Sequence, residues 1–419
     1  MYLIKNVRLY TGEESFENGA VLTDGGKIVY AGDASRLPPV TNDAEVIDGH
    51  GGICMPGLCN AHSHAPMVLL RGEGADLPLM EWLGCVQKLE DNFTPDTIRT
   101  ATTLAIMEML RGGTTAFADM YFECAEMIRA VVESGIRANI TRGSTSVESV
   151  LSHEALHREF DGADGRVHVY VGLHAEYTSN EDVVRAAVGC AQRLGVGIHV
   201  HLSESAGEVA GCYDRHGMTP PEYFERLGLF DVPTIAAHCV HLTDHDIGIL
   251  REHGVTAVHN PASNMYLASG IANITKLRER GVNVAIGTDG AASNNTLDMF
   301  REMRLAAMLA KVTTGDASAI PARDIITMAT VNGARAMGFS DTGVLAAGRA
   351  ADLIILDGEA LHLNADDIPT AIVYSASGAD VKLTMVGGRV LYRDGEFLAI
   401  DAERVIAEGR AAAAYLRGR

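Results

Sequence analysis

Between residues 56 and 289 the chain repeats one pattern eight times: a short apolar, β-branched run ends in a polar or ionisable residue. The first run ends at His62, and the others span 114–119, 138–142, 167–174, 197–204, 234–238, 256–260 and 284–289. Stretches of helical periodicity lie between them, among them 97–111, 121–134, 181–194, 243–252 and 296–311. Strands buried on both faces read as continuous apolar runs, and strands alternating with helices assemble a parallel sheet. Eight such units, each with a chemistry-bearing residue at its C-terminal end, predict an α/β fold of the (β/α)8 TIM-barrel type, whose active site lies at that end of the strands. A doubly wound open sheet, the competing architecture, binds its ligand at one crevice and leaves most of those strand-end residues without a role.

Both ends of the chain have a different texture. Residues 3–9, 21–30 (a hairpin pattern around Asp24-Gly25-Gly26) and 46–48 read as short strands, as do 351–357 and 381–391. They predict a small composite β-sandwich domain made of residues 1–55 plus 341–419, with a surface helix over 402–419, around a catalytic barrel of residues 56–340. Composition narrows the partners. With 34 Lys+Arg against 54 Asp+Glu the net charge is −20, a field that repels nucleic acid and anionic membrane surfaces. The opening residues have neither the basic region nor the apolar stretch of a signal peptide, and no apolar run approaches the roughly 20 residues of a membrane span. Seven scattered cysteines without a Cys-x-x-Cys fit a reducing cytoplasm, with Cys54 and Cys59 as small core residues rather than ligands. A cytoplasmic homo-oligomer acting on a small molecule is expected.

Chemistry concentrates at the strand ends. His62 and His64 are two residues apart in extended chain, so both rings face one side and can converge on a metal ion. His199 and His201 repeat the spacing; His201 lies nearer the strand end and is the better ligand, with His199 deeper, satisfied by neighbours. Asp289 follows an apolar strand and offers an oxygen ligand or a helix cap. Three histidines and a carboxylate leave an open position for water, the arrangement of a catalytic zinc. His238 is a further ligand or an electrostatic partner of that water, whereas His241, three residues on, is peripheral. Glu204, just beyond His201, is the candidate base, because a proton carrier must reach the activated water.

Taken together, several motifs resemble the amidohydrolase superfamily. They are Pro56-Gly57-Leu58 through His64, His201-Leu202-Ser203-Glu204, Ala237-His238-Cys239-Val240-His241, His259-Asn260-Pro261-Ala262-Ser263-Asn264 and the segment from Gly287-Thr288-Asp289 to Asn295. Gly343-Val344-Leu345 and Ala350-Ala351-Asp352-Leu353 extend the likeness to nearly the whole chain. Within the superfamily the chain is most similar to the 5′-methylthioadenosine/S-adenosylhomocysteine deaminases. This resemblance implies hydrolytic deamination at C6 of an adenosine-type nucleoside, giving the inosine analogue and ammonia. It implies one divalent ion, Zn2+ before Fe2+ or Mn2+, on His62, His64, His201 and Asp289. The 167–174 strand has no lysine to be carbamylated for a second metal. Glu204 becomes the general acid/base, His238 the neighbour of the attacking water, and Asp289 the group that assists ammonia release. Glu90 is implied to take the ribose hydroxyls, His174 and His201 to contact the nucleoside, and Arg142 to reach a 5′ carboxylate.

One position departs from the family pattern. A second carboxylate-binding arginine is replaced by Glu154, which favours small 5′ groups (methylthio, hydroxyl or hydrogen) unless Arg158 or Arg166 substitutes. The rival readings are an aminohydrolase of a free purine or pyrimidine, a chlorohydrolase of a triazine, and a non-catalytic scaffold barrel. The complete set of ligands and Glu204 speaks against the last.

Overall fold

The computed structural model describes residues 1–40 and 44–418. It opens with five strands, β1 (Tyr2–Tyr10), β2 (Ser15–Asp24), β3 (Lys27–Asp33), β4 (Glu45–Asp48) and β5 (Ile53–Pro56). β2 turns into β3 through Gly25 and Gly26, both at positive φ, the backbone that a two-residue hairpin turn requires. The middle of the chain supplies β6 (Leu58–Ser63), β7 (Thr114–Tyr121), β8 (Arg137–Arg142), β9 (Val167–Val169), β10 (Val171–Leu173), β11 (Ile198–Leu202), β12 (Thr234–His238), β13 (Thr256–His259) and β14 (Asn283–Ile286). The last strands are β15 (Leu353–Leu356), β16 (Val381–Val386), β17 (Arg389–Arg393) and β18 (Glu396–Phe397).

These last four return to the first five. One nine-stranded sheet runs β18-β17-β16-β15-β5-β1-β2-β3, with β4 beside the start of β1. It buries a core of its own around Ile4, Leu9, Val21, Cys54, Leu353 and Met385. Only Gly57 separates β5 from β6, and it must be glycine because a Cβ there would lie 2.2 Å from the Thr115 side chain. A buried ion pair adds a second tie between the sheet and the middle of the chain. Arg137 of β8 donates through Nε to Asp352 Oδ2 at 2.6 Å, and Asp352 also accepts from Thr342 Oγ1 and the Gly387 amide.

In the middle, β6-β7-β8-β9 and β10-β11-β12-β13-β14 form two parallel sheets in strict chain order. The run 167–174, expected as one strand, is two: β9 pairs back to β8 and β10 forward to β11, parted at Tyr170. The sheets adjoin at both ends. At one, the His174 amide donates to the Ser144 carbonyl at 3.0 Å, and β10 approaches so closely that a Cβ on Gly172 would lie 1.9 Å from the Arg142 carbonyl. At the other, the Asp289 amide donates to the His62 carbonyl at 3.0 Å, and the Thr288 amide to Asn60 Oδ1 at 2.9 Å. Small side chains at alternate strand positions, Cys59 and Ala61, Ala116 and Ala118, face an interior core completed by Met337 and Phe339. Both Cys54 and Cys59 are thus core residues, as expected.

Helices cover the outer faces, starting with α1 (Leu79–Glu90), α2 (Pro95–Arg111), α3 (Cys124–Ser134), α4 (Val147–Phe160), α5 (Glu181–Leu194) and α6 (Ala206–His216). The buried face of α3 (Cys124, Met127, Ile128, Val131) follows the three-and-four spacing of an amphipathic helix. The expected helix 121–134 starts three residues late because Tyr121 is still in β7; that at 296–311 starts at Met299, where Asp298 caps it, and continues to Thr314. The terminal helix Ala402–Leu416 buries Val405, Ala412 and Leu416; Arg419 lies outside the described residues. Among the described residues no helix is long and apolar enough to cross a membrane, and all seven cysteines are free.

Candidate active site

The C-terminal ends of β6 and β11 and the residue group following β14 converge. His201 Nε2 lies 3.3 Å from His64 Nε2, and Asp289 Oδ1 lies 3.4 Å from His62 Nε2 and 3.2 Å from His64 Nε2. In each ring the other nitrogen is occupied: His64 Nδ1 donates to the Met120 carbonyl at 2.5 Å, His201 Nδ1 to the His174 carbonyl at 2.7 Å. His62 Nδ1 is bonded to His199 Nε2 at 2.9 Å. A backbone carbonyl can only accept, so in the neutral rings the proton sits on Nδ1 and the Nε2 atoms of His64 and His201 present lone pairs to each other. His62 Nε2 is buried without a hydrogen-bond partner among the described residues. Lone pairs and a carboxylate gathered this way fit a divalent cation with nitrogen and oxygen ligands, with outer partners fixing the ring orientations. His199 is therefore more than an interior residue satisfied by its surroundings: it holds His62, and its own Nδ1 has no partner among the described residues.

The charges agree. Burial pushes the His62 ring down to about 4 against the pull of Asp289, and holds His201 well below its ordinary value. His64 ends higher, at about 9: burial opposes its charge, but Asp289, Asp119 and the Met120 carbonyl outweigh it. Asp289 is held well below the usual carboxylate range despite burial, because the His62 and His64 rings stand against its Oδ1. The Asp289 carboxylate thus draws positive charge towards the rings around it, and a bound cation would supply that charge with the rings neutral.

Loops after the strands complete the group. Ser203, His238, Cys239 and Asp289 all have positive φ, a cluster of constrained backbone at one spot. Asp289 Oδ2 accepts from Ser263 Oγ at 2.6 Å. His238 donates from Nδ1 to Asn264 Oδ1 at 2.9 Å, and its Nε2 stands 3.8 Å from Glu204 Oε2. Burial opposes a charge on His238, but Glu204 and Asp289 raise its pKa. Glu208 grips the start of the Glu204 loop, accepting from the Ser203 amide at 2.9 Å and the Glu204 amide at 2.7 Å. His241 does not line the cavity, yet it is not idle: it donates to the Ser269 carbonyl at 2.7 Å.

Above this floor is a cavity of about 430 Å3, lined by His64, His201, Glu204, His238 and Asp289 and, on its wall, by Glu90, Arg142 and His174. Every residue expected to act is brought together, His62 lying just beneath. Glu90 ends α1 and accepts from Tyr121 Oη at 2.6 Å, with burial pushing its pKa up. Leu79, Trp82, Leu83 and Val86 of α1 form an apolar face of the same wall. His174 is kept neutral by burial, at about 4, with Nδ1 3.0 Å from Thr178 Oγ1. The Arg142 guanidinium has no hydrogen-bonded or ionic partner among the described residues. Its backbone is pinned instead: His153 of α4, buried, accepts at Nε2 from the amides of Arg142 and Gly172, both at 3.1 Å.

Glu154 faces away from the cavity and pairs with Arg193 at 2.6 Å. Neither Arg158 nor Arg166 lines the cavity, and Arg166 pairs with Asp164 at 3.0 Å. No substitute for a second guanidinium exists there among the described residues. Sequence reasoning missed Tyr121, Trp82, Glu208 and Ser269. A regular signal existed only for Glu208, four residues after Glu204 and so within reach of the helix start.

The family model described as "Amidohydrolase family" matches residues 53–391. The chain belongs to this family. Among similar amidohydrolases, a 5′-deoxyadenosine deaminase from Methanosarcina acetivorans is 42% identical, covering 100% of this chain and 98% of its own length. A 5-methylthioadenosine/S-adenosylhomocysteine deaminase from Moorella thermoacetica is 43% identical over 93% of both chains. An adenosine deaminase from Xanthomonas campestris with bound zinc superposes with a TM-score of 0.94 at 34% identity, covering 100% of this chain and 99% of that one. An atrazine chlorohydrolase from Arthrobacter aurescens, also a zinc complex, gives a TM-score of 0.92 at 26% identity over 99% and 100% of the two chains.

Proposed function

We propose that this amidohydrolase hydrolyses the C6–amino bond of an adenosine-type nucleoside, releasing ammonia and the inosine analogue. One observation carries the reading: a floor of facing imidazole lone pairs and a carboxylate, with Glu204 beside it, opens into a cavity whose wall presents Glu90. Relatives named as deaminases of 5′-deoxyadenosine and 5-methylthioadenosine support the substrate class, and zinc in similar structures supports Zn2+ on His62, His64, His201 and Asp289. When bound, the ion supplies Lewis acidity that makes water a nucleophile near neutral pH.

The chain's own residues do the rest. Glu204 takes a proton from the attacking water and delivers it to purine N1. His238, anchored by Asn264, faces the charge that develops as oxygen joins C6; the ionised Asp289 carboxylate then takes the remaining proton from the new C6 hydroxyl and passes it to the amino nitrogen, which leaves as ammonia as the C6–O double bond forms. Glu90, oriented by Tyr121, accepts from the ribose hydroxyls, which a free base lacks; this favours a nucleoside over guanine or cytosine. His174 and His201 flank the base. Arg142 meets the 5′ group alone, so an uncharged 5′ group is preferred over a homocysteine carboxylate.

The same reading covers the architecture. The two parallel sheets, joined at both seams, are the wall of one (β/α)8 barrel over residues 56–340, and the two ends form a β-sandwich domain of residues 1–55 and 341–419. The protein works as a homo-oligomer in the cytoplasm, for which seven free cysteines are suited.

Ammonia release from zinc-loaded protein tests the function across adenosine, 5′-deoxyadenosine, 5′-methylthioadenosine, S-adenosylhomocysteine, guanine and cytosine. The expected order puts 5′-deoxyadenosine and 5′-methylthioadenosine ahead of S-adenosylhomocysteine, with no release from either free base. Silence on every adenosine derivative overturns the proposal.

A further inference from the structure

A tight turn beside the floor is bonded to Glu204 and, through the helix it closes, to His238. It follows the short helix Pro261–Tyr266 and turns sharply, with Ala268 at φ 53° and Gly270 at φ 131°. The amides of Ser269 and Gly270 both donate to the Asn264 carbonyl, at 2.8 and 3.3 Å. His241 closes it from outside by donating to the Ser269 carbonyl, and Gly270 keeps that approach open, since a Cβ there would lie 2.8 Å from Val240. From this frame Asn264 accepts the Nδ1–H of His238. The buried Ser269 hydroxyl donates to Glu204 Oε1 at 3.0 Å.

We infer that Ser269 is a positioning residue that decides which oxygen of Glu204 carries the proton. A carboxylate has two equivalent oxygens, and its terminal torsion is soft and roughly two-fold. The hydroxyl breaks that equivalence by binding Oε1, while Oε2 faces His238 Nε2 at 3.8 Å. The proton leaving water therefore goes to Oε2, and from Oε2 to purine N1. Ser269 keeps its own proton throughout, because Oε1 accepts equally in the ionised and the protonated acid. His241 and Asn264, by fixing the loop, hold the Ser269 and His238 contacts in one register, so base and imidazole cannot drift apart.

This inference rests on Glu204 being the proton carrier, and the experiment separates the two. Zinc-loaded wild type, Ser269→Ala, Ser269→Thr and Glu204→Gln are compared, using the nucleoside of the panel that releases ammonia fastest, with metal content and melting temperature measured on each. Ser269→Ala is expected to lower kcat about tenfold, the order of one lost hydrogen bond to a charged group. Its KM stays within about twofold and its zinc content is unchanged, because binding and metal capture do not pass through the hydroxyl. Ser269→Thr, which keeps the donor, restores most of the rate. A Ser269→Ala protein with wild-type kcat overturns the inference, as does a loss that Thr fails to restore or that comes with parallel loss of zinc. A Glu204→Gln protein that retains near-full activity overturns the assignment of the base itself, and the role of Ser269 with it.

Discussion

On the floor of the cavity every group of the proposed metal set is held from behind, His62 by His199, His64 by the Met120 carbonyl, His201 by the His174 carbonyl and Asp289 by Ser263. On the wall the pattern differs. The Glu90 carboxylate is held by Tyr121 alone, and the Arg142 guanidinium is held by nothing among the described residues. The floor groups sit at or just past strand ends; Glu90 ends a helix and Arg142 ends a strand whose next residues form a loop. A preorganised floor favours the reaction, since fixed dipoles and ligands need not reorganise as charge moves. An underdetermined wall keeps the contacts that would choose a substrate apart from the groups held for the chemistry.

The largest effect is expected where the floor is broken. Asp289→Ala removes a proposed ligand and leaves His64 without its counter-charge, so kcat/KM should fall by more than about 10³ and bound zinc should become substoichiometric by metal analysis. A variant that keeps full zinc and activity would show the floor to be less of a unit than its bonds imply. An intermediate effect is expected on the wall. Glu90→Gln should lower kcat/KM for the best riboside by roughly 10- to 100-fold, the cost of one or two charged hydrogen bonds, with zinc content unchanged. With a 2′,3′-dideoxy analogue the same substitution should cost almost nothing; an equal loss would mean that Glu90 acts on the floor instead.

The smallest effect concerns acid. Burial pushes the His153 ring down to about 4, against roughly 6.5 in an unfolded chain. The folded protein refuses a proton that the unfolded chain accepts, so this contribution to stability is whole above about pH 6.5 and is lost as pH falls toward 4. His153→Gln should therefore flatten the fall of melting temperature over that interval, by up to one proton's worth of slope. A slope identical to wild type would mean that the ring beneath Arg142 takes up its proton without loosening the wall.

The same division decided what could be read before any coordinates. Floor residues were legible because each follows an apolar strand, so period and position together aim the side chain. The work of His199 and His241 is to hold a partner, and partnership across 137 and 28 residues leaves no local pattern. Tyr121 was expected to begin a helix; its run continues as strand and delivers the hydroxyl to Glu90. Glu154 was assigned to a substrate-facing position by its distance from Arg142 in sequence, yet helix geometry turns it outward to Arg193 while Ser149 and His153 turn inward. Ser269 sits in a turn whose course is set by packing, and no spacing announces it.

The nine-stranded sheet sets the order in which the molecule can be made. β5 pairs with β15, about 300 residues later, and then runs through Gly57 straight into the strand bearing His62 and His64. On the ribosome the first five strands emerge long before their partners, exposing an unpaired edge on β5 throughout synthesis of the middle. Such long-range pairing is slow to form, so this edge stays open to other strands until β15 is made. The histidine strand, tethered to that edge, reaches its final anchorage only when the last sheet strands arrive.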